Sequence, residues 1–224
     1  MKNLLKRSIS AGMMISLGGY VYIKTYENNR YIAALLFSIG LLSVLYLHYD
    51  LFTGKVCNII SNLSESYGAH DKYYISYNKR PISKPNNPLY YIIVLFGNAL
   101  GCIIMAAISV QTKLDAYSIC CNKIDKSPLN LFCSAIICEI CITIAVWVFN
   151  AAKDKNTNII VILAVIVFIV SGSEHCIADI YYFLIDIFDG MPSVNPIIAL
   201  EVISIVIMGN LAGGILMNLI CKEK

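Results

Sequence analysis

Charge is what this chain has least of. Asp, Glu, Lys and Arg together supply 14% of 224 residues, and histidine occurs three times. A soluble domain of this length carries about a quarter charged residues, so a water-facing globular surface is excluded. Hydrophobic residues fill 58% of the chain and the mean hydropathy is +0.70, which makes the lipid bilayer its solvent. There is no basic patch interleaved with aromatics, so nucleic acid is not a partner despite a net charge of +3. The nine cysteines are scattered and lack the paired CxxC spacing of a zinc site. They read as small apolar packing residues, and no metal or cofactor is expected.

Apolar runs of roughly 17–25 residues cross about 30 Å of hydrocarbon. Six such runs use nearly the whole chain: 9–23, 31–49, 89–110, 129–149, 159–188 and 196–220. The first follows Lys2, Lys6 and Arg7 as a signal peptide would, but Tyr20–Lys24 offers no small-residue cleavage site, so it is expected to stay as a span. With both termini in the cytoplasm, Lys2, Lys6, Arg7, Lys72, Lys79, Arg80, Lys84, Lys153, Lys155, Lys222 and Lys224 fall inside. Only Lys24, Arg30, Lys113, Lys123 and Lys126 fall outside, with Lys55 inside a span. That asymmetry is the positive-inside pattern of a multi-pass protein of the cell membrane.

A polar stretch at 61–88 separates the second run from the third, and 150–158 does the same between the fourth and fifth. Dividing the chain near residue 125 leaves three crossings on each side. Three is odd, so the halves would insert in opposite orientations, as in an inverted repeat. The second crossing of each half is interrupted, by His48-Tyr49-Asp50-Leu51-Phe52-Thr53-Gly54-Lys55 and by Ser171-Gly172-Ser173-Glu174-His175. Each interruption carries a glycine, which permits backbone conformations closed to other residues. Backbone freed from helical pairing at membrane depth is tolerated where it lines a passage, and an ionisable ring beside it marks a solute pathway.

Five motifs recur in order: Asp50-Leu51-Phe52-Thr53-Gly54, Phe96-Gly97-Asn98 with Gly101, Ala145-Val146-Trp147, Gly172-Ser173-Glu174-His175-Cys176-Ile177-Ala178, and Gly209-Asn210 with Gly213-Gly214. Together they resemble the formate/nitrite transporter family, which includes hydrosulfide channels, over essentially the whole chain. The resemblance implies an all-α membrane protein of six transmembrane helices in a 3+3 inverted repeat, aquaporin-like, with the second and fifth helices broken. It also implies one channel domain over residues 1–224, assembled as a homopentamer with a pore in each subunit. The family's central histidine falls on His175 and its hydrogen-bonding threonine on Thr53. The apolar constrictions fall on Phe37, Leu41, Leu51, Phe52 and Phe168, and the lysine outside the central site on Lys123, with Lys126 one helical turn away. Two positions depart from the family, which has asparagine where this chain has Glu139 and Asp179.

A small anion between such apolar walls faces a desolvation cost of many kcal/mol. A neutral acid does not. The expected function is therefore a channel or transporter for small monovalent weak-acid anions (formate, nitrite or hydrosulfide), passed as the neutral acid with proton exchange at His175, whose imidazole titrates near about 6.5 when unperturbed. Glu139 is expected within reach of His175. Asn98 and Asn210 either bond the unwound segments or simply link helices, and the glycines near them read as close-packing positions. Tyr90, Tyr91, Tyr181, Tyr182 and Trp147 read as interfacial belt residues. The rival readings are a membrane-embedded enzyme using Glu174, His175 and Asp179, and a nonconducting relative of the family.

Overall fold

The computed structural model describes residues 1–60, 87–151, 157–190 and 194–221. Most of the expected cytoplasmic loop (61–86), Lys153, Lys155, Lys222 and Lys224 lie outside the described residues. Among those described, the regular structure is helical: α1 (Lys2–Tyr26), α2 (Arg30–Tyr46), α3 (Phe52–Val56), α4 (Pro88–Ser109), α5 (Tyr117–Ile124), α6 (Pro128–Ala151), α7 (Asn158–Val170), α8 (Cys176–Phe188) and α9 (Pro196–Cys221), with a 3₁₀ turn at Val110–Thr112 after α4.

Three of these, Pro88–Thr112, Pro128–Ala151 and Pro196–Cys221, are long and apolar enough to cross a membrane. Their starts are written locally. Each opens with a polar residue followed by proline: Asn87-Pro88, Ser127-Pro128 and Asn195-Pro196. Proline suits the first helical position, where its missing N–H is not needed. The residue before it caps the helix, Asn87 Oδ1 accepting from the Leu89 N–H at 2.9 Å and Asn195 Oδ1 from the Ile197 N–H at 2.9 Å.

The runs expected as the second and fifth crossings are each in two pieces, α2 with α3 and α7 with α8. The first pieces stop the same way. His48 and Gly172 both adopt left-handed backbone, at φ 54° and 69°. The Tyr49 N–H then reaches back to the Val44 carbonyl and the Ser173 N–H to that of Phe168, both at 2.9 Å. This is the six-to-one bond of a Schellman stop, which satisfies carbonyls that the next turn would have used. Gly54, expected to supply the flexible backbone of the first break, instead lies within α3. The left-handed residue there is His48, which is exposed.

The two halves interlock. In the first, α1 packs on α2 and α4; in the second, α6 packs on α7 and α9. Across the halves α2 meets α7, α4 meets α8, and α3 meets α9. Small residues let the backbones approach, since lipid gives helices little hydrophobic reason to associate. A Cβ on Gly101 would stand 2.1 Å from the Ile9 carbonyl oxygen, and one on Gly213 would stand 2.9 Å from that of Ile136. Outward faces stay apolar and exposed, as Ile32, Leu35, Leu36 and Ile39 show on α2.

The aromatic belt reading is corrected. Tyr90, Tyr91, Tyr181 and Tyr182 are buried in the protein. The Tyr181 hydroxyl lies 2.8 Å from Ser109 Oγ, the Tyr90 hydroxyl donates to Asp50 at 3.2 Å, and half-buried Trp147 donates to Asn58 at 3.1 Å. Partners for these polar tips exist inside the fold, so they need no water at a membrane surface. The cysteines are all free thiols, most of them buried.

Candidate functional site: the two breaks and the cavity over His175

Two asparagines hold the unwound segments. Asn210, on α9, donates from Nδ2 to the Glu174 carbonyl at 3.1 Å and the Ala135 carbonyl at 2.8 Å, while its Oδ1 accepts from the Cys176 N–H at 3.0 Å. Asn98, on α4, repeats this in the other half. It donates to the Asp50 carbonyl at 2.9 Å and the Ser8 carbonyl at 2.8 Å, and accepts from the Phe52 N–H at 2.8 Å. Both side chains are fully buried. Each resolves three backbone groups that would otherwise be stranded, at about 1–3 kcal/mol apiece.

Between those anchored groups sits the residue that starts each second half-helix, Leu51 in one half and His175 in the other, both extended in backbone. His175 Nδ1 accepts from the Ala178 N–H at 3.2 Å, capping α8 with its own ring. That nitrogen therefore carries no proton, so the hydrogen-bond pattern assigns the ring proton to Nε2, 3.0 Å from Thr53 Oγ1. Thr53 and His175, 122 positions apart in sequence, thus join the two breaks directly. The Phe168 ring stacks on the imidazole at 6.0 Å between centroids, and Phe37 meets Phe168 edge-on at 6.1 Å.

His175, Phe37, Phe168 and Lys123 share the wall of a cavity of about 380 Å³. Lys123 comes from α5, a short helix between the halves, and is buried with its ammonium on the Glu174 carboxylate and 2.7 Å from Asp179 Oδ1. Lys126 also reaches Glu174, at 2.5 Å, and donates to the Gly172 carbonyl at 2.7 Å. The two lysines that sequence spacing left as alternatives thus share one carboxylate. Glu174 and Asp179 are each about 1% exposed, and these partners offset the cost of burying charge that far from water.

Other expected site residues fall elsewhere. Leu41 and Leu51 are buried in the core and do not line the cavity; Phe52 borders a separate, wholly apolar cavity of about 210 Å³ with Tyr91 and Leu211. Glu139, expected to reach His175, makes no hydrogen bond to it. Both its carboxylate oxygens are buried without a hydrogen-bond partner among the described residues, and Gly213 packs against its Cβ. Its Cβ is turned toward Gly213 in the packing of α6 on α9.

One cluster escaped the sequence reading. Asp50 takes Arg7 Nε at 2.6 Å, Lys55 Nζ at 3.0 Å and the Tyr90 hydroxyl at 3.2 Å. The signal was available, because Asp50 precedes Leu51 just as Glu174 precedes His175. No group of three His, Cys, Asp or Glu side chains converges as a metal site among the described residues.

The sequence profile described as formate/nitrite transporter matches residues 1–222. The chain belongs to the formate/nitrite transporter family. Among relatives, the formate channel FocA of Haemophilus influenzae is 25% identical over 192 residues, 77% of this chain and 62% of that protein. FocA of Escherichia coli K12 is 22% identical over 195 residues, 78% and 62%. Formate-nitrite transporter 3 of Toxoplasma gondii is 24% identical over 196 residues, covering 83% of this chain and 36% of that one. The alignments thus take in under two thirds of the relatives' length. In fold, the chain matches a pentameric formate channel with formate bound at a TM-score of 0.77 and 24% identity, over 96% of this chain and 93% of the other. It matches an FNT family ion channel at 0.81 and 20%, over 97% and 88%. The all-α fold of this channel family is therefore the fold of this chain.

Proposed function

We propose that this protein is a pore for small monovalent weak-acid anions, formate, nitrite or hydrosulfide, and that it passes them as the neutral acid with proton exchange at His175. Five copies would assemble in the cell membrane, each crossing six times with both termini in the cytoplasm and each with its own pore. The observation that carries the reading is the His175–Thr53 bond, which ties the two half-helices together beside a cavity lined by Phe37 and Phe168. An ion meeting those rings loses its hydration without a compensating charge, whereas a neutral acid of the same size does not. Relatives named as channels and transporters support transport over catalysis.

The chemistry asked of the site is modest. The ring offers one N–H and one lone pair, both occupied, by Thr53 and Ala178. Proton exchange there moves both positions: Nδ1 takes a proton as the Ala178 N–H gives way, and Nε2 passes its own proton to the solute as the Thr53 hydroxyl rotates aside, so the ring stays neutral overall. Stopped-flow light scattering on proteoliposomes loaded with formate, nitrite or hydrosulfide tests the reading. Flux well above empty liposomes is expected for at least one of them, and none for any would end it. His175→Asn retains a cap for α8 but removes the titrating ring, so its flux should lose the wild-type pH profile; an unchanged profile would take His175 out of the mechanism.

A further inference from the structure

The cavity above His175 is lined by cations, yet the deepest of them has nothing left to offer an anion. An ammonium has three donors. Those of Lys123 meet Glu174, Asp179 Oδ1 and the face of the Tyr182 ring, 5.6 Å from its centroid. Lys126 spends two on Glu174 and the Gly172 carbonyl, which leaves it one, at the more open end, with its side chain 26% exposed. Arg30 sits at the exposed mouth, its guanidinium over the Tyr31 ring at 4.9 Å. Counted as charges, the two lysines and the two carboxylates cancel. What is left over on this side is an acceptor: Asp179 borders the cavity, and its Oδ2 is buried with no hydrogen-bond partner among the described residues.

We propose that Asp179 is a specificity-determining residue of the pore, and that its free oxygen accepts a hydrogen bond from the acidic proton of the solute, so that the cavity seats the protonated weak acid and disfavours its anion. This rests on the proposed function and goes beyond it by naming the group that reads the proton before His175 is reached. Attraction and selection are thereby separated. Arg30 and the remaining donor of Lys126 draw an anion to the mouth, where water screens the charge. Deeper in, a bare anion meets an unpaired oxygen of its own sign, while an O–H or S–H meets a partner. The ionisable and charged groups around Asp179 are Lys123 from α5, Lys126 beyond it, Glu174 and His175 from the break, Tyr182 from α8, Tyr22 and Tyr26 from α1, Arg30 at the start of α2, and the buried thiols Cys120 from α5, Cys138 from α6 and Cys176 from α8, which stay neutral. Tyr22, Tyr26 and Tyr182 add no charge near neutrality, so the balance on Asp179 is set by the two lysines and by Glu174.

Nitrate and nitrite test this, since they are alike in size and charge but only nitrite has a protonated form in the accessible pH range. In proteoliposomes of the full chain between pH 5 and 8, nitrite and formate flux should rise as pH falls, by up to about tenfold per unit as the neutral fraction grows, while nitrate stays at the level of empty liposomes. Asp179→Asn, which turns an amide toward the solute, should raise nitrate relative to nitrite by about tenfold or more, the worth of one hydrogen bond to a charged group. Asp179→Glu should restore the wild-type ratio. A residue serving only structure would lower all fluxes together and leave the ratio unmoved. Wild-type protein that carries nitrate as readily as nitrite overturns the inference alone, and needs no variant to fold. An unaltered ratio in folded Asp179→Asn overturns it too. Absence of any nitrite, formate or hydrosulfide flux removes the pore reading and this inference with it.

Discussion

At His48 and again at Gly172 a helix stops on a left-handed residue, and the chain runs past a buried carboxylate and starts again two residues later under an asparagine from a neighbouring helix. Up to that point the two breaks are one design. They part at the side chains. The residue that opens the second half-helix is leucine in one and histidine in the other; the carboxylate is Asp50, clasped by Arg7, Lys55 and Tyr90, in one, and Glu174, clasped by Lys123 and Lys126, in the other. Four residues on from the carbonyls that the asparagines bond, the first half has Gly12 and the second Glu139. The backbone has kept the symmetry that packing demands. Chemistry has been concentrated in the half where symmetry was broken.

If the two anchors are equivalent, removing either should be equally damaging. Asn98→Ala and Asn210→Ala each strand three buried backbone groups, a loss of several kcal/mol at about 1–3 each, and neither variant should survive as monodisperse protein in detergent. A variant that tolerates one loss and not the other would break the comparison. Next in size is the contrast between close and open glycines. Gly101→Ala forces a methyl onto the Ile9 carbonyl and should cost about 2–3 kcal/mol, lowering the melting temperature sharply. Gly54→Ala meets its first neighbour only at 3.7 Å and should be neutral or slightly stabilising, because alanine is the better helix former.

The helix stops give a smaller and opposite pair. Alanine at Gly172 would put a side chain into left-handed backbone, costing about 1 kcal/mol, whereas His48→Gly relieves that strain and should gain about 0.5–1 kcal/mol. Thermal denaturation in detergent reads both. Smallest is Glu139→Gln. Because its carboxylate neither bonds His175 nor borders the cavity, the pH profile of flux should stay as in the wild type. A displaced profile would return Glu139 to the pathway.

Reading along the chain worked wherever a signal was local. The apolar runs gave the helices, and the interruptions at 48–55 and 171–175 gave both breaks. It left open which way a helix is turned. Leu41, Leu51 and Glu139 are pore positions by resemblance alone, a rotation of a few tens of degrees separates a wall from a core, and no periodicity in so uniformly apolar a helix fixes that angle. The tyrosines failed for a related reason, since an amphipathic ring suits a membrane surface and a buried hydrogen bond equally well.

By itself, then, the sequence determined that this chain lives in a bilayer, where its helices begin, where two of them break, and that an imidazole stands at one break, because each of these follows from hydration, backbone sterics and proline or asparagine chemistry within a few residues. The tertiary structure decided which groups meet. Thr53 finds His175, Lys123 finds Glu174 and Asp179, and each asparagine finds the unwound backbone of its own half. Those encounters join residues tens to more than a hundred positions apart, and only the packed helices, held at the distance their small residues allow, fix which partners come within a hydrogen bond of one another.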